Sequence, residues 1–144
     1  MRDILFRGKR TDNGEWIYGY VNQHRGESIL DCMCEQINSD DFYIYDYAAK
    51  IDTGIYGLLY KIIPETRGEY TGLTDKNGVR IFEGDIVRSV SGGYSNFIIL
   101  WDNQNALWFL RAKNYTTDFY HHFSNEFEII GNIHDNPELM EGGG

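Results

Sequence analysis

Short runs of apolar and aromatic residues, each bounded by turn-forming residues, follow one another along most of this chain. They recur at intervals of about 8–12 residues, which is the spacing of strands in all-β sandwiches and barrels. Almost none of them shows the 3.6-residue period of an amphipathic helix. The pattern therefore predicts a mainly β protein, a small β-barrel or sheet roll with little helix.

The first two runs, 4–10 and 15–21, are separated by a turn that contains Asn13 and Gly14. Both turn residues tolerate positive φ, and an Asn-Gly pair between two strand-forming runs is the strongest local signal for a hairpin. The sequence therefore predicts that the fold begins with an N-terminal β-hairpin.

A second Asn-Gly turn, formed by Asn77 and Gly78, follows Asp75 in the middle of the chain. Asp75 suits the first position of a type I turn, and Gly78 suits the left-handed residue of the bulge that follows. In both hairpins an aliphatic residue, an aromatic residue and a glycine come after the turn in the same order. A duplicated β-module explains this likeness, and so does turn chemistry shared by two unrelated hairpins.

The other elements are less sharply marked. Residues 48–51 either continue a strand or form a helical turn, and residues 114–125 are predicted to be a polar loop. Asn136 and Pro137 before Glu138 predict one closing helical turn, because proline suits the first helical position. The further predicted strands are 28–34, 42–47, 55–63, 79–88, 97–101, 106–110 and 127–133.

These elements favour one compact unit with three parts. Residues 1–64 are predicted to hold the N-terminal hairpin and a variable acidic and aromatic insertion, residues 65–139 a small β-barrel module, and residues 140–144 a flexible tail. A chain of this length buries enough surface to form a core without a metal ion or a disulfide.

The charge balance is acidic, since 13 Lys and Arg against 22 Asp and Glu give a net charge of −9. Such a surface is a poor match for the phosphate backbone of nucleic acids. However, residues 1–25 carry more basic than acidic side chains. Arg7, Lys9 and Arg10 of the first hairpin are therefore the candidate nucleic-acid contacts, and aromatic stacking would support them. An acidic mimic of DNA is a third interpretation of the charge.

Aromatic residues are abundant, with 3 Trp, 11 Tyr and 8 Phe. They exceed what the interior of a small barrel holds comfortably, so some are expected at the surface or at a subunit contact, where aromatic residues are enriched. Tyr43, Tyr45 and Tyr47 share one face of a predicted strand and form the candidate interface. The alternative is that these three side chains pack inside.

No constellation of residues indicates catalysis. The sequence has no Gly-x-Ser-x-Gly elbow, phosphate-binding loop, dinucleotide fingerprint or His-Glu-x-x-His motif. Glu83, Gly84 and Asp85 present a carboxylate pair at the start of a strand, but they also suit a strand bend in which Asp85 accepts backbone hydrogen bonds. We therefore expect a protein that is not an enzyme, with no catalytic residue and no cofactor.

The two cysteines, Cys32 and Cys34, are separated by a single residue. A disulfide across so short a loop is strained, so two reduced thiols are expected. A zinc site would need two further ligands, and no second pair of cysteines or histidines at metal-ligand spacing accompanies these two, so no metal is expected. The possible histidine donors are His24, His121, His122 and His134.

The start of the chain has no basic segment followed by an apolar run, which is the pattern of an export signal. The apolar run Phe97–Trp101 is far too short to span a membrane. The sequence therefore predicts a soluble, cytoplasmic protein.

Three stretches of the chain together resemble a known family signature. The first is Phe6–Lys9 with Trp16–Gly19, the second is Tyr70–Val87, and the third is Ile130–Leu139. In this order they are similar to the YopX family, small proteins encoded by bacteriophages and integrated prophages. The motif residues in the second and third stretches are Gly72, Asp75, Asn77, Gly78, Gly84, Asp85, Gly131, Asn132, Asn136 and Pro137.

The resemblance implies a mostly β fold that contains an SH3-like barrel, an origin in phage or prophage genomes, and no known catalytic residues. The motif residues are then expected to be structural. Together with the surplus of aromatic residues, the resemblance favours a non-enzymatic protein-binding or assembly module that forms a homo-oligomer and binds an unknown host or phage protein. Nucleic-acid association through the first hairpin is the alternative.

Overall fold

The computed structural model describes residues 5–23, 42–50, 56–91, 95–119 and 125–141. This part of the chain confirms the mainly β fold, whereas the SH3-like form of the barrel stays a prediction. No helix in it is long and apolar enough to cross a membrane. The elements are β1 (Phe6–Lys9), β2 (Trp16–Gln23), β3 (Phe42–Lys50), β4 (Tyr56–Ile62), β5 (Gly68–Thr74), β6 (Arg80–Phe82), β7 (Asp85–Ser89), β8 (Asn96–Asp102), β9 (Leu107–Arg111), β10 (Thr116–Asp118), β11 (Phe127–Asn132) and α1 (Glu138–Glu141).

The chain divides into two compact units, Ile4–Glu69 and Tyr70–Gly144. The sequence placed the corresponding boundary after residue 64. The observed division falls within β5, because the first residues of that strand pair with β1 and the later ones pair with β6.

In the first unit, β1 to β4 form an antiparallel meander, and β5 adds to the other side of β1. The predicted N-terminal hairpin is confirmed, with Lys9 opposite Trp16 and Gly14 in the left-handed conformation at φ 72°. The meander also curls, since the backbone N–H of Ile63, just after β4, donates to the carbonyl of Lys9 at 2.8 Å. The end of β4 therefore meets the end of β1.

β3 extends through Lys50, so residues 48–50 continue the strand and the helical alternative for them is wrong. Its register against β4 shifts between Asp46 and Lys50, which marks a bulge or irregularity. The predicted strand 28–34, Cys32 and Cys34 lie outside the described residues.

In the second unit, β5 and β6 form a hairpin, and five strands form an antiparallel sheet in the order β10-β9-β8-β7-β11. Residues on one face of this sheet form the core, as shown by Ile99 and Leu110, which lie directly opposite each other and are buried. The core residues are Ile81, Val87, Phe97, Ile99, Leu110, Ala112, Phe119 and Phe127.

Two predictions for the second unit need correction. Thr116–Asp118, predicted as loop, form β10, because their backbone pairs with β9 even though all three residues are exposed. α1 extends through Met140 to Glu141, which the sequence assigned to the tail. The helix is held to the sheet by Asn96, whose side-chain amide donates to the carbonyl of Leu139 at 2.8 Å.

Candidate functional site

The turn between β5 and β6 is built around the carboxylate of Asp75, which is only 3% exposed. This carboxylate accepts hydrogen bonds from the backbone N–H groups of Asn77 at 2.8 Å and Val79 at 3.0 Å. It also accepts one from Ile129 of β11 at 3.1 Å. Gly78 has a φ of 79°, as the left-handed position of this turn requires. Asp75 and Asn77 thus serve the turn and fasten it to the sheet.

The corner formed by Glu83, Gly84 and Asp85 has the geometry of a strand bend. Asp85 is 2% exposed and accepts a hydrogen bond from the backbone N–H of Phe82 at 2.8 Å. Gly84 is in the left-handed conformation, and its carbonyl accepts a bond from the backbone of Ile133. Gly72 is also left-handed, and it lies where the register between β5 and β6 shifts.

The third motif stretch closes β11 and begins α1. The side-chain oxygen of Asn132 accepts bonds from the backbone N–H groups of His134 at 3.0 Å and Asp135 at 2.9 Å. In return, the side-chain oxygen of Asn136 accepts from the backbone of Asn132 at 3.3 Å. Pro137 follows directly, and its carbonyl accepts from the backbone of Met140. These polar side chains satisfy backbone donors of the final turn, as capping residues do.

Gly131 lies beneath this turn with no room for a side chain. A Cβ at position 131 would lie 2.5 Å from the side-chain oxygen of Asn136 and 3.0 Å from its Cβ. The first distance is shorter than non-bonded atoms tolerate and the second is at the limit, so the close approach of these two residues explains the glycine.

The cations of the first hairpin lie against aromatic rings. The guanidinium carbon of Arg7 is 4.6 Å from the centre of the Trp16 ring, and the Lys9 ammonium is 5.6 Å from the same ring. Arg7 is only 6% exposed. Arg7, one of the three predicted nucleic-acid contacts, is thus largely withdrawn from solvent. Arg7 and Lys9 both have an aromatic partner within the protein, the Trp16 ring.

Arg10 lies between Tyr60 and Asp12. Its guanidinium carbon is 4.3 Å from the centre of the Tyr60 ring, and its Nε donates to the Asp12 carboxylate at 2.9 Å. The hydrogen bond with Asp12 raises the pKa of Arg10 above its ordinary value, and the bond with Arg10 lowers the pKa of Asp12. Both groups stay charged at neutral pH, so Asp12 offsets the charge that Arg10 would offer to a phosphate.

We therefore expect charge reversal in this hairpin to leave nucleic-acid binding unchanged. Single-stranded DNA should bind the parent and the Lys9→Glu variant with affinities that differ by less than about twofold, both at the weak non-specific level. Fluorescence anisotropy with a labelled oligonucleotide at low salt measures this. Strong, salt-sensitive binding by the parent that Lys9→Glu abolishes would instead support nucleic-acid association.

The candidate interface tyrosines all fall in β3. Tyr43 lies opposite Lys61 and Tyr45 opposite Leu59, at the alternate positions that the sequence predicted. Tyr47 comes after the register begins to shift at Asp46. The side chains of all three tyrosines lie outside the description, so their role as an interface stays a prediction.

The second unit has a groove of about 600 Å³ at one end of its five-stranded sheet. Strands β8, β9 and β10 supply its sides, and the turn after β8 supplies one end. Leu107 and Phe109 of β9 are half-buried, and they are two residues apart on one face of the strand. The lining residues are Trp101, Asp102, Asn103, Asn105, Leu107, Phe109, Thr116, Thr117 and Asp118.

Two carboxylates, Asp102 and Asp118, flank this apolar pair. Asp102 lies opposite Leu107 in the pairing of β8 with β9, and Asp118 lies opposite Phe109 in the pairing of β10 with β9. A hydrogen bond from the side-chain amide of Asn105 is the largest cause that lowers the pKa of Asp102 below its usual value. Backbone hydrogen bonds from Asn105 and Gln104 lower it further. Asp102 is therefore ionised at neutral pH, and the groove places an apolar pair within a lining that is mostly polar and carries two carboxylates.

Sequence reasoning missed this groove. It assigned 106–110 to a strand, but it placed Asp118 in a loop and so gave Leu107 and Phe109 no acidic neighbour. The available signal was the alternation in β9, where Leu107 and Phe109 face away from the core residue Leu110. Large apolar residues on both faces of a strand indicate that the second face is also covered or binds something.

Clusters of metal-ligand side chains are not found in the described part of the chain, where no three His, Cys, Asp or Glu residues lie close enough to hold an ion. His134 falls in this part, and its Nε2 lies 3.6 Å from the position that a Cβ on Gly84 would occupy. His24, His121 and His122 lie outside the described residues.

Comparison with known proteins identifies the family of the chain. Residues 5–141 match the family described as YopX protein. The chain belongs to the YopX family. A solved structure similar to this YopX chain is that of protein EF1440 from Enterococcus faecalis, with 21% sequence identity and a TM-score of 0.57. The similarity covers 97% of this chain and 99% of EF1440, and at that identity it shows the fold alone. No functionally curated protein matches this YopX chain.

Proposed function

We propose that this YopX-family chain is a non-enzymatic protein-binding or assembly module, encoded by a phage or prophage and active in the cytoplasm of the bacterial host. The observation that carries the proposal is the groove formed by β8, β9 and β10. A concave surface is the usual form of a binding site, and polar groups within it fix the orientation of what binds. In this chain most of the lining residues are polar, and Leu107 and Phe109 supply an apolar patch among them.

The burial of the motif carboxylates supports a binding role rather than a catalytic one. Asp75 and Asp85 are almost fully buried, and their oxygens accept backbone hydrogen bonds. A general acid or base has to reach its substrate, usually within hydrogen-bond distance. Carboxylates committed to the backbone in this way hold the fold together.

Exposed aromatic rings support the assembly part of the proposal. Tyr18 in the first unit is 47% exposed and Tyr115 in the second is 52% exposed. Tyrosine contributes much contact area at interfaces for little loss of conformational entropy. We therefore propose that the chain forms a homo-oligomer and binds a second, unidentified protein of the host or phage.

Affinity capture and light scattering test this function. A tagged chain expressed in the host is expected to retain one protein in a fixed ratio, identified by mass spectrometry. A Leu107→Ser bait should retain at least about tenfold less of it, since a few centrally placed residues carry most of the binding free energy of an interface. Val90→Ser is the matched control, because Val90 is exposed and does not line the groove.

Light scattering over about a hundredfold range of protein concentration is expected to show an oligomer at the high end. A monomer throughout, together with a bait that retains nothing above the untagged control, would overturn the proposed function.

A further inference from the structure

The groove formed by β8, β9 and β10 also indicates what kind of partner it fits. We infer that it binds an extended basic segment of another protein, in which a bulky apolar side chain has a Lys or Arg two residues before it and another two residues after it. The inference rests on the proposed protein-binding function and names the chemistry of the partner.

The register of the three strands sets the layout of the groove. Residues directly opposite each other in an antiparallel pair project from the same face of the sheet. Asp102 therefore shares a face with Leu107, and Asp118 shares it with Phe109. Because Leu107 and Phe109 are also on one face of β9, the apolar pair lies between the two carboxylates, which occupy diagonal corners.

The spacing between the carboxylates matches an extended chain. Asp102 and Asp118 are two strands apart and offset by two residues, so standard sheet dimensions place their Cα atoms about 12 Å apart. In an extended segment, residues four apart are separated by about 13 Å, and the residue midway between them projects from the same side. Two cations at that spacing reach the two carboxylates while the central apolar side chain covers Leu107 and Phe109.

Charge complementarity decides the sign of the partner. A hydrogen bond from Asn105 lowers the pKa of Asp102, and neither Lys nor Arg is found among the described residues that line the groove. Arg111, opposite Thr116, shares the face of β9 that carries Leu107 and Phe109, so one cation borders the two carboxylates. The surrounding segment 91–144 is acidic, with seven acidic and two basic side chains. Such a potential attracts a cationic segment and disfavours an acidic one.

A second copy of this chain does not supply the required segment. Lys76 and Arg80 are the only pair of basic residues four positions apart in the sequence. The residue midway between them is Gly78, which has no side chain to fill the groove and lies in a tight turn. The occupant is therefore a different protein.

Binding of a synthetic peptide to the full-length chain tests the inference. The probe is a labelled ten-residue peptide with Lys, Leu and Lys at alternate positions, and its control has the same composition with the two Lys residues adjacent. We expect the spaced peptide to bind at least about fivefold more tightly than the control and to weaken as salt rises, because the pairs are near the surface. Fluorescence anisotropy measures the affinity.

Two variants with matched controls locate the contact. Asp118→Lys should weaken the spaced peptide about fivefold or more, because it replaces attraction by repulsion, whereas Glu126→Lys should change affinity less than about twofold. Glu126 is exposed, carries the same charge and lies outside the groove lining. Leu107→Ser should weaken binding by a similar factor, with Val79→Ser as its control. Urea unfolding curves for each variant confirm that it is folded.

Equal binding of the two peptides, or equal loss in Asp118→Lys and Glu126→Lys, would overturn the inference. If Asp118→Lys instead converts an oligomer to a monomer, the groove is a contact between copies, and the inference is also wrong. A partner retained by the wild-type bait but not by the Leu107→Ser bait, in the absence of peptide binding, would leave the proposed function intact while rejecting the basic segment.

Discussion

Replacing Asp75 by alanine is expected to lower the free energy of unfolding of the second unit by about 4 kcal/mol. Hydrogen bonds to a charged group contribute about 1.5–3 kcal/mol each, and their contributions are not fully additive. The carboxylate is buried and accepts backbone bonds from Asn77, Val79 and Ile129. Alanine leaves all three N–H donors without this acceptor. The bond from Ile129 also ties the β5–β6 turn to β11, so its loss loosens two elements at once.

Asp75→Asn separates these contributions. One amide oxygen can still accept from Asn77 and Val79, but the amide nitrogen then faces the N–H of Ile129, and two donors cannot bond. We expect Asp75→Asn to lower the free energy of unfolding by about 2–3 kcal/mol, which is less than the loss in Asp75→Ala. Glu128→Ala is the control in the same unit, because its pair with Lys76 is at the surface and should contribute less than about 1 kcal/mol.

Urea unfolding followed by tryptophan fluorescence measures these losses. A Trp16→Phe background removes the tryptophan of the first unit, so that Trp101 and Trp108 report on the second unit alone. A loss below about 1 kcal/mol for Asp75→Ala would contradict the structural role of the carboxylate.

The features that sequence predicted well depend on neighbouring residues. The Asn13-Gly14 hairpin and the turn after Asp75 were predicted because positive φ and side-chain bonds to nearby backbone act over a few residues. The same local chemistry left one question open. The first turn closes with a bond from Arg10 to Glu15, and the second with a bond from Asp75 to Val79, so the two turns differ in length. Whether they arose by duplication stays a prediction.

The features that sequence missed depend on residues far apart. β10 has three exposed polar residues, and it is a strand only because its backbone pairs with β9. The bond from Ile129 to Asp75 joins positions 54 residues apart. The groove needs three strands in one register before Leu107 and Phe109 acquire their two acidic neighbours. The hydrophobic pattern and the turns set the register of paired strands, but the three exposed polar residues of β10 carry no such pattern, so its pairing with β9 could not be predicted from them.

Gly131→Ala is expected to cost about 2–3 kcal/mol, the upper part of the range for inserting a methyl group where there is no space. The added Cβ would meet the side-chain oxygen of Asn136 at 2.5 Å and its Cβ at 3.0 Å. Asn136 cannot simply turn away, because its side chain accepts a bond from Asn132 and its backbone donates another to the carbonyl of the same residue. The new methyl group must therefore displace the turn that begins α1.

A double-mutant cycle distinguishes this clash from a general effect of losing glycine. Asn136→Gly removes the side chain that the new Cβ would meet, at a cost of about 1 kcal/mol for the lost hydrogen bond. If the clash is the cause, Gly131→Ala combined with Asn136→Gly should cost at least about 1 kcal/mol less than the sum of the single changes, since contacting residues are not additive. Unfolding by urea, monitored by Trp101 and Trp108, measures all three variants. Strict additivity would mean that Gly131 is needed for a reason other than the close approach of Asn136.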